Sequence, residues 1–219
     1  MVWLNGVFVK VYGDSSAAYT SFIVPLNAAA GLKLSGPNVL AIHVDGSYGS
    51  EHWYSGAGIY RHVWLERSPA VHASDNGVFA PATLAAGYGS GSVNTVVELD
   101  NDAAVDAGRV RITATLYDPT GAAAAPASTS VVKNLPAHAS RYPVKLDAIS
   151  IASPQLWSIR TPTLYTLVTQ IESSGARDDT TDADADEALD AVGKRFSAVQ
   201  TINTTVGFRE YSWDYNTGQ

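Results

Sequence analysis

The chain contains no cysteine. Disulfides and thiolate metal sites are excluded, so packing and hydrogen bonds must hold the fold. The compartment stays open, because secreted proteins without disulfides are common. Charge is also scarce. Only 16% of the 219 residues are charged, with 21 acidic against 14 basic, a net charge of −7. An acidic chain without a basic stripe is a poor partner for nucleic acid or an anionic membrane surface. No run approaches the roughly 18 apolar residues of a membrane span. Met1-Val2-Trp3-Leu4 has neither the basic region nor the cleavage site of a signal peptide.

Apolar residues are plentiful, at 46%, enough for a packed core. Their arrangement favours strands. Val2 to Val9 reads as strand, turn, strand around Asn5-Gly6, since a two-residue type I′ turn needs positive φ at both central positions. A domain that opens in mid-hairpin implies that its first strands lie before Met1. Period-two alternation predicts strands over 39–44, 59–66, 93–99 and 110–117, with Phe22 to Leu26 a short run stopped by proline. Shorter candidates lie at 71–73, 77–80, 128–132, 142–146, 164–171 and 196–206. Asp118-Pro119-Thr120-Gly121 is a turn in which proline presets φ and glycine takes the strained position. Ser68-Pro69 marks a change of texture. Beyond it, strands recur every ten to fifteen residues, which predicts an immunoglobulin-type β-sandwich without the usual inter-sheet disulfide. Between 173 and 195 aspartates crowd among Ala and Thr, predicting a solvated loop with a short helix from Glu187 to Val192.

Four segments in order carry a resemblance to family 2 glycoside hydrolases, the β-galactosidase type. Val2-Trp3-Leu4-Asn5-Gly6 resembles the hairpin of that family's N-terminal jelly-roll. Tyr19-Thr20-Ser21-Phe22 resembles a later jelly-roll element, with Ala18 where glycine is usual. Trp53 to Leu65, reading WYSGAGIYRHVWL, is the most specific match. Leu156-Trp157-Ser158 with Pro162 and Leu164-Tyr165 resembles the end of the family's sandwich domain, although Ile159-Arg160-Thr161 replaces the usual turn. Gly207-Phe208-Arg209 resembles the lead-in to its catalytic barrel.

The resemblance implies an all-β chain: a partial, galactose-binding-like jelly-roll over 1–67, then an immunoglobulin-like sandwich over 68–206 with an acidic insertion at 173–195. Residues 207–219 lead towards a (β/α)8 barrel that this chain does not carry. In the family, two glutamates of that barrel hydrolyse the glycosidic bond with retention, about 5 Å apart. None of Glu51, Glu66, Glu98, Glu172, Glu187 and Glu210 lies in a motif like the catalytic ones, so the chain is expected to be inactive alone. A terminal β-galactoside-type sugar and the barrel are the implied partners. The alternatives are a free-standing carbohydrate-binding or adhesion module, and the inactive product of a degraded gene.

Asp45, Glu51, His52 and Trp53 are the candidate sugar contacts, in a loop that the resemblance places over the barrel mouth. Carboxylates accept from sugar hydroxyls, and an aromatic ring suits the apolar face of a pyranose. Asp45 could equally serve only its turn, and Trp53 only pack. Arg61, inside an apolar strand, is read as half of a structural ion pair across the domain junction, since a buried arginine needs a carboxylate, with substrate contact as the alternative. His43, His52, His62 and His72 recur at strand length rather than ligand spacing, and no metal or cofactor is expected. Asp182, Asp184 and Asp186 lack the glycine and glutamate of a calcium loop. Asn203-Thr204-Thr205 is a glycosylation sequon, relevant only to a chain secreted by a eukaryote.

Overall fold

The computed structural model describes residues 1–12, 21–27, 29–46, 58–174 and 196–211. The chain divides into two compact units, Met1–Leu65 and Glu66–Gln219. Both are all-β: the described residues form thirteen strands, all paired antiparallel, and one 3-10 turn at Ala86–Tyr88.

In the first unit, β1 (Val2–Leu4) lies between β2 (Val7–Lys10) and β3 (Leu40–Ile42). The hairpin is the expected one: Asn5 has φ 50° and Gly6 φ 83°. Val2 and Leu4 are buried at 2% exposure. Trp3, between them in sequence, therefore points to the other face. There it meets Phe8 edge-on at 6.0 Å and His43 at 6.4 Å between ring centroids.

The predicted strand at 59–66 is corrected. Residues 58–70 contain no strand, and Trp64 and Leu65 are 77% and 83% exposed. Alternation marks a chain able to pair, but a strand also needs a neighbour, and this stretch has none among the described residues. The run at 22–26 is likewise unpaired, with Phe22 stacked on Tyr12 at 4.4 Å.

The second unit is a sandwich. One layer is the four-stranded sheet β13-β12-β8-β9, built from β8 (Val110–Tyr117), β9 (Ser128–Val132), β12 (Tyr165–Ser173) and β13 (Ser197–Val206). The other is three bent strands. β4 (Val71–Phe79) continues as β5 (Ala82–Leu84), β6 (Ser90–Val93) as β7 (Val96–Asn101), and β10 (Tyr142–Lys145) as β11 (Ile149–Ala152). Their halves stack in the matching orders β10-β7-β4 and β11-β6-β5.

The ladder persists across the bend. Phe79 pairs Val96, the Asn94 N–H donates to the Pro81 carbonyl at 3.1 Å, and Ala82 pairs Val93. A three-plus-four sandwich has the strand count of the simpler immunoglobulin type. The single strand expected at 93–99 is thus interrupted, yet its alternation runs straight through: Val93, Thr95, Val97 and Leu99 are all buried. The separate candidates at 71–73 and 77–80 merge into β4, whose register shifts between Ala73 and Val78.

The core between the layers holds Ile112, Leu116, Leu167 and Ile171 from one side and Val93, Val97, Leu99, Val144 and Ile151 from the other. Full burial of each such side chain contributes about 1.5–3 kcal/mol, and here it replaces the missing disulfide. β12 and β13 pair from Tyr165↔Val206 to Ser173↔Ser197, so the acidic stretch is the connection between two neighbouring strands. The helix expected at 187–192 lies outside the described residues.

Candidate functional site

The sequence-predicted sugar contacts divide. Asp45 is exposed beyond β3. Glu51, His52 and Trp53 lie outside the described residues. Arg61 is exposed rather than buried, with its guanidinium carbon 5.8 Å from the Tyr60 ring centroid. Asn203 is exposed on β13, opposite Val168 of β12. His43 sits by Trp3, His62 by Trp64 at 5.3 Å, and His72 with Nε2 4.0 Å from the Asp100 carboxylate.

Glu51 and Glu187 lie outside the described residues. Among the described glutamates, Glu172 and Glu98 are engaged by arginine. Arg111 Nε donates to Glu172 Oε2 at 2.7 Å, while its guanidinium carbon lies 4.3 Å from the Phe196 ring centroid. That hydrogen bond, ahead of the opposing cost of burial, holds the Glu172 carboxyl below its ordinary range. Glu98 accepts from Arg141 Nη1 at 2.6 Å. Asp100, two residues along β7, accepts from the Arg141 N–H and from Ser74 Oγ, both at 2.7 Å. These contacts tie down the irregular stretch of β4.

The most specific arrangement in the described residues lies where the LWS and GFR segments meet. Leu156 bridges Phe208 in parallel, and the Trp157 N–H donates to the Phe208 carbonyl at 2.8 Å. Phe208 is fully buried, edge-on to Tyr165 with centroids 5.1 Å apart. Its ring occupies the space a side chain would need at position 91. A Cβ on Gly91 would come within 2.7 Å of Phe208 Cε1. Arg209 then stacks over Trp157, its guanidinium carbon 5.1 Å from the ring centroid. The negative charge of Glu210 raises the pKa of the Tyr88 phenol. The GFR signal was visible in sequence. The space under Phe208 was not, because nothing local marks Gly91 as the residue that a ring far along the chain will cover.

The described residues of the second unit form a β-sandwich with Phe208 anchored just beyond its last strand. Residues 76–184 match the model of Glycosyl hydrolases family 2. A beta-galactosidase from Bacteroides ovatus is 34% identical over 173 residues, which is 78% of this chain and 19% of that protein. One from Halalkalibacterium halodurans is 31% identical over 171 residues, 76% of this chain and 15% of that protein. Among solved structures, a family 2 member from Bacteroides cellulosilyticus superposes with a TM-score of 0.71 at 22% identity, covering 99% of this chain and 26% of its own. A Bacteroides uniformis beta-glucuronidase gives 0.71 at 23% identity, covering 97% and 23%. The chain belongs to glycosyl hydrolase family 2. It spans about a fifth or less of the length of the two beta-galactosidases it matches.

Proposed function

We propose that this chain is the non-catalytic portion of a retaining, β-galactosidase-like glycoside hydrolase, and that it supports a catalytic domain without carrying the reacting carboxylates. The observation that carries the reading is the match at 34% identity over 78% of the chain to a beta-galactosidase, in a segment that is 19% of that protein. The engagement of Glu98 and Glu172 with arginine partners agrees with it.

In this reading residues 1–67 are part of a jelly-roll and 68–206 the immunoglobulin-like sandwich. Residues 207–219 approach the barrel. Asp45, Glu51, His52 and Trp53 reach a terminal β-linked sugar only in the assembled enzyme.

The test is an assay of the purified chain on nitrophenyl β-galactoside, β-glucuronide and β-mannoside, with a galactoside titration beside it. No turnover and no binding at millimolar sugar are expected. Turnover would overturn the non-catalytic assignment. Binding by the isolated chain would favour a free-standing carbohydrate-binding module instead.

A further inference from the structure

We propose that Asn76 is a site of spontaneous deamidation, and that the isoaspartate formed there loosens the tie between β4 and β7. The other Asn-Gly pair of the chain, Asn5-Gly6, is protected by its hydrogen bonds.

Both pairs, Asn5-Gly6 and Asn76-Gly77, carry the same chemistry. Glycine has no Cβ to shield its nitrogen from the preceding side chain, so asparagine is at its most labile there. The step is intramolecular. The Gly77 backbone nitrogen attacks the side-chain carbonyl carbon of Asn76 and loses its proton. A five-membered imide forms, and the carboxamide nitrogen leaves as ammonia. Water then opens the imide at one carbonyl or the other, giving aspartate or isoaspartate. Nothing is oxidised or reduced.

What differs between the pairs is the hold on the asparagine. Asn5 is bonded at both ends of its amide. Nδ2 donates to the Gly31 carbonyl at 2.7 Å and to Asn38 Oδ1 at 2.8 Å, while Oδ1 accepts from the Val39 N–H at 2.8 Å. These bonds must break before the side chain can turn towards Gly6. Asn76 is exposed, and among the described residues no hydrogen bond holds its side chain. Its backbone lies outside the ladder as well. β4 pairs β7 at Ala73↔Leu99 and again at Val78↔Val97, so Ser74 to Gly77 stand opposite Glu98 alone. Asn76 has φ 55°, in the left-handed region that asparagine tolerates.

The consequence follows from what surrounds the pair. An isoaspartate routes the chain through its side-chain carbon and so adds one backbone atom ahead of Gly77. Room is short there: a Cβ on Gly77 would already lie 2.7 Å from the Ser74 carbonyl oxygen and 2.9 Å from that of Glu98. The longer backbone therefore displaces its neighbours. Ser74 Oγ donates to Asp100 at 2.7 Å, and Arg141 Nη2 donates to the Asp75 carbonyl at 3.3 Å. Both contacts share this loop, and Asp100 also accepts from the Arg141 N–H. The inference goes beyond the glycosidase reading, because it needs nothing but this chain and water.

The test follows the full 219-residue chain in neutral buffer, folded and in urea, by peptide mass mapping at intervals. Isoaspartate is located by its enzymatic methylation. In the folded chain Asn76 should convert roughly tenfold or more faster than Asn5, whose three hydrogen bonds must first open. In urea the two rates should converge. The Arg141 amide should exchange faster in the aged chain than in the fresh one. Asn76→Gly keeps the left-handed backbone and removes the amide, so it should age without that change. Conversion of Asn5 as fast as Asn76 in the folded chain would overturn the site. So would an intact Asn76 after the time in which urea converts both. An aged N76G chain with the same rise in Arg141 exchange would overturn the loosening. The rate comparison uses the unmutated chain, so it stands should N76G fold poorly. Since no sugar or activity is read, failure here and failure of the glycosidase reading are separate results.

Discussion

Asn5 and Val39 are joined twice: the Asn5 N–H donates to the Val39 carbonyl at 2.8 Å, and the Val39 N–H donates to Asn5 Oδ1 at 2.8 Å. The Asn5 amide also donates to the Gly31 carbonyl at 2.7 Å and to Asn38 Oδ1 at 2.8 Å. One residue thus turns the hairpin and anchors the approach to β3.

Asn5→Ala keeps the chain but removes all three side-chain bonds. Each such bond contributes about 0.5–1.5 kcal/mol net, so the first unit should lose roughly 2–3 kcal/mol. The Val39 amide should exchange at least tenfold faster while the Leu116 amide, in the sandwich, stays unchanged. Equal exchange at Val39 would mean that the side chain is dispensable.

Glu172 supplies a pH test. Its pKa is lowered in the folded state, first by the hydrogen bond from Arg111. Folding therefore favours the ionised form. The contribution is fully present above the ordinary glutamate value of 4.5 and is lost as pH falls through the lowered folded value. For a pair only partly shielded from water it is worth roughly 0.5–1 kcal/mol at neutral pH. Urea midpoints at pH 7 and pH 3 should differ less in E172Q than in the parent. An identical difference would remove Glu172 from the acid response.

Leu116 is fully buried in β8. Leu116→Ala should cost about 2–5 kcal/mol, through lost burial and the cavity left behind. Chemical denaturation followed by near-ultraviolet circular dichroism measures it. A loss below about 1 kcal/mol would show that the two layers can close over the gap.

Gly77 is hemmed in by backbone. A Cβ there would lie 2.7 Å from the Ser74 carbonyl oxygen and 2.9 Å from that of Glu98. Gly77→Ala must shift β4 or β7, at about 1–3 kcal/mol. It should also loosen the contacts of Ser74 and Arg141 with Asp100, visible as faster exchange of the Arg141 amide. Unchanged stability would mean that the irregular stretch of β4 can flex.

Several features were legible in the chain because their causes are local. Asn5-Gly6 carries its turn in two residues. Asp118 caps its own turn, accepting from Thr120 N–H and Oγ1 at 2.8 and 2.6 Å, with Gly121 at φ 87°. The alternation of β8 and β9 marked their full extents, 110–117 and 128–132. The family resemblance was equally readable, since it rests on short ordered motifs.

Pairing is not local, and the misreadings follow from that. The run at 59–66 has a strand's alternation but no neighbour among the described residues, whereas β5 and β11, too short to alternate convincingly, are strands because β6 lies between them. Its apolar residues Tyr60 and Val63 are exposed.

By itself, then, the sequence determined the turns, the faces of the longer strands and the family, all properties of residues within a few positions of one another. Tertiary structure alone decided the bend shared by three strands, the tie between Asn5 and Val39, and the packing of Phe208 over Gly91. Each joins residues far apart in the chain, and no local preference can encode a contact whose two halves become neighbours only after the backbone between them has folded.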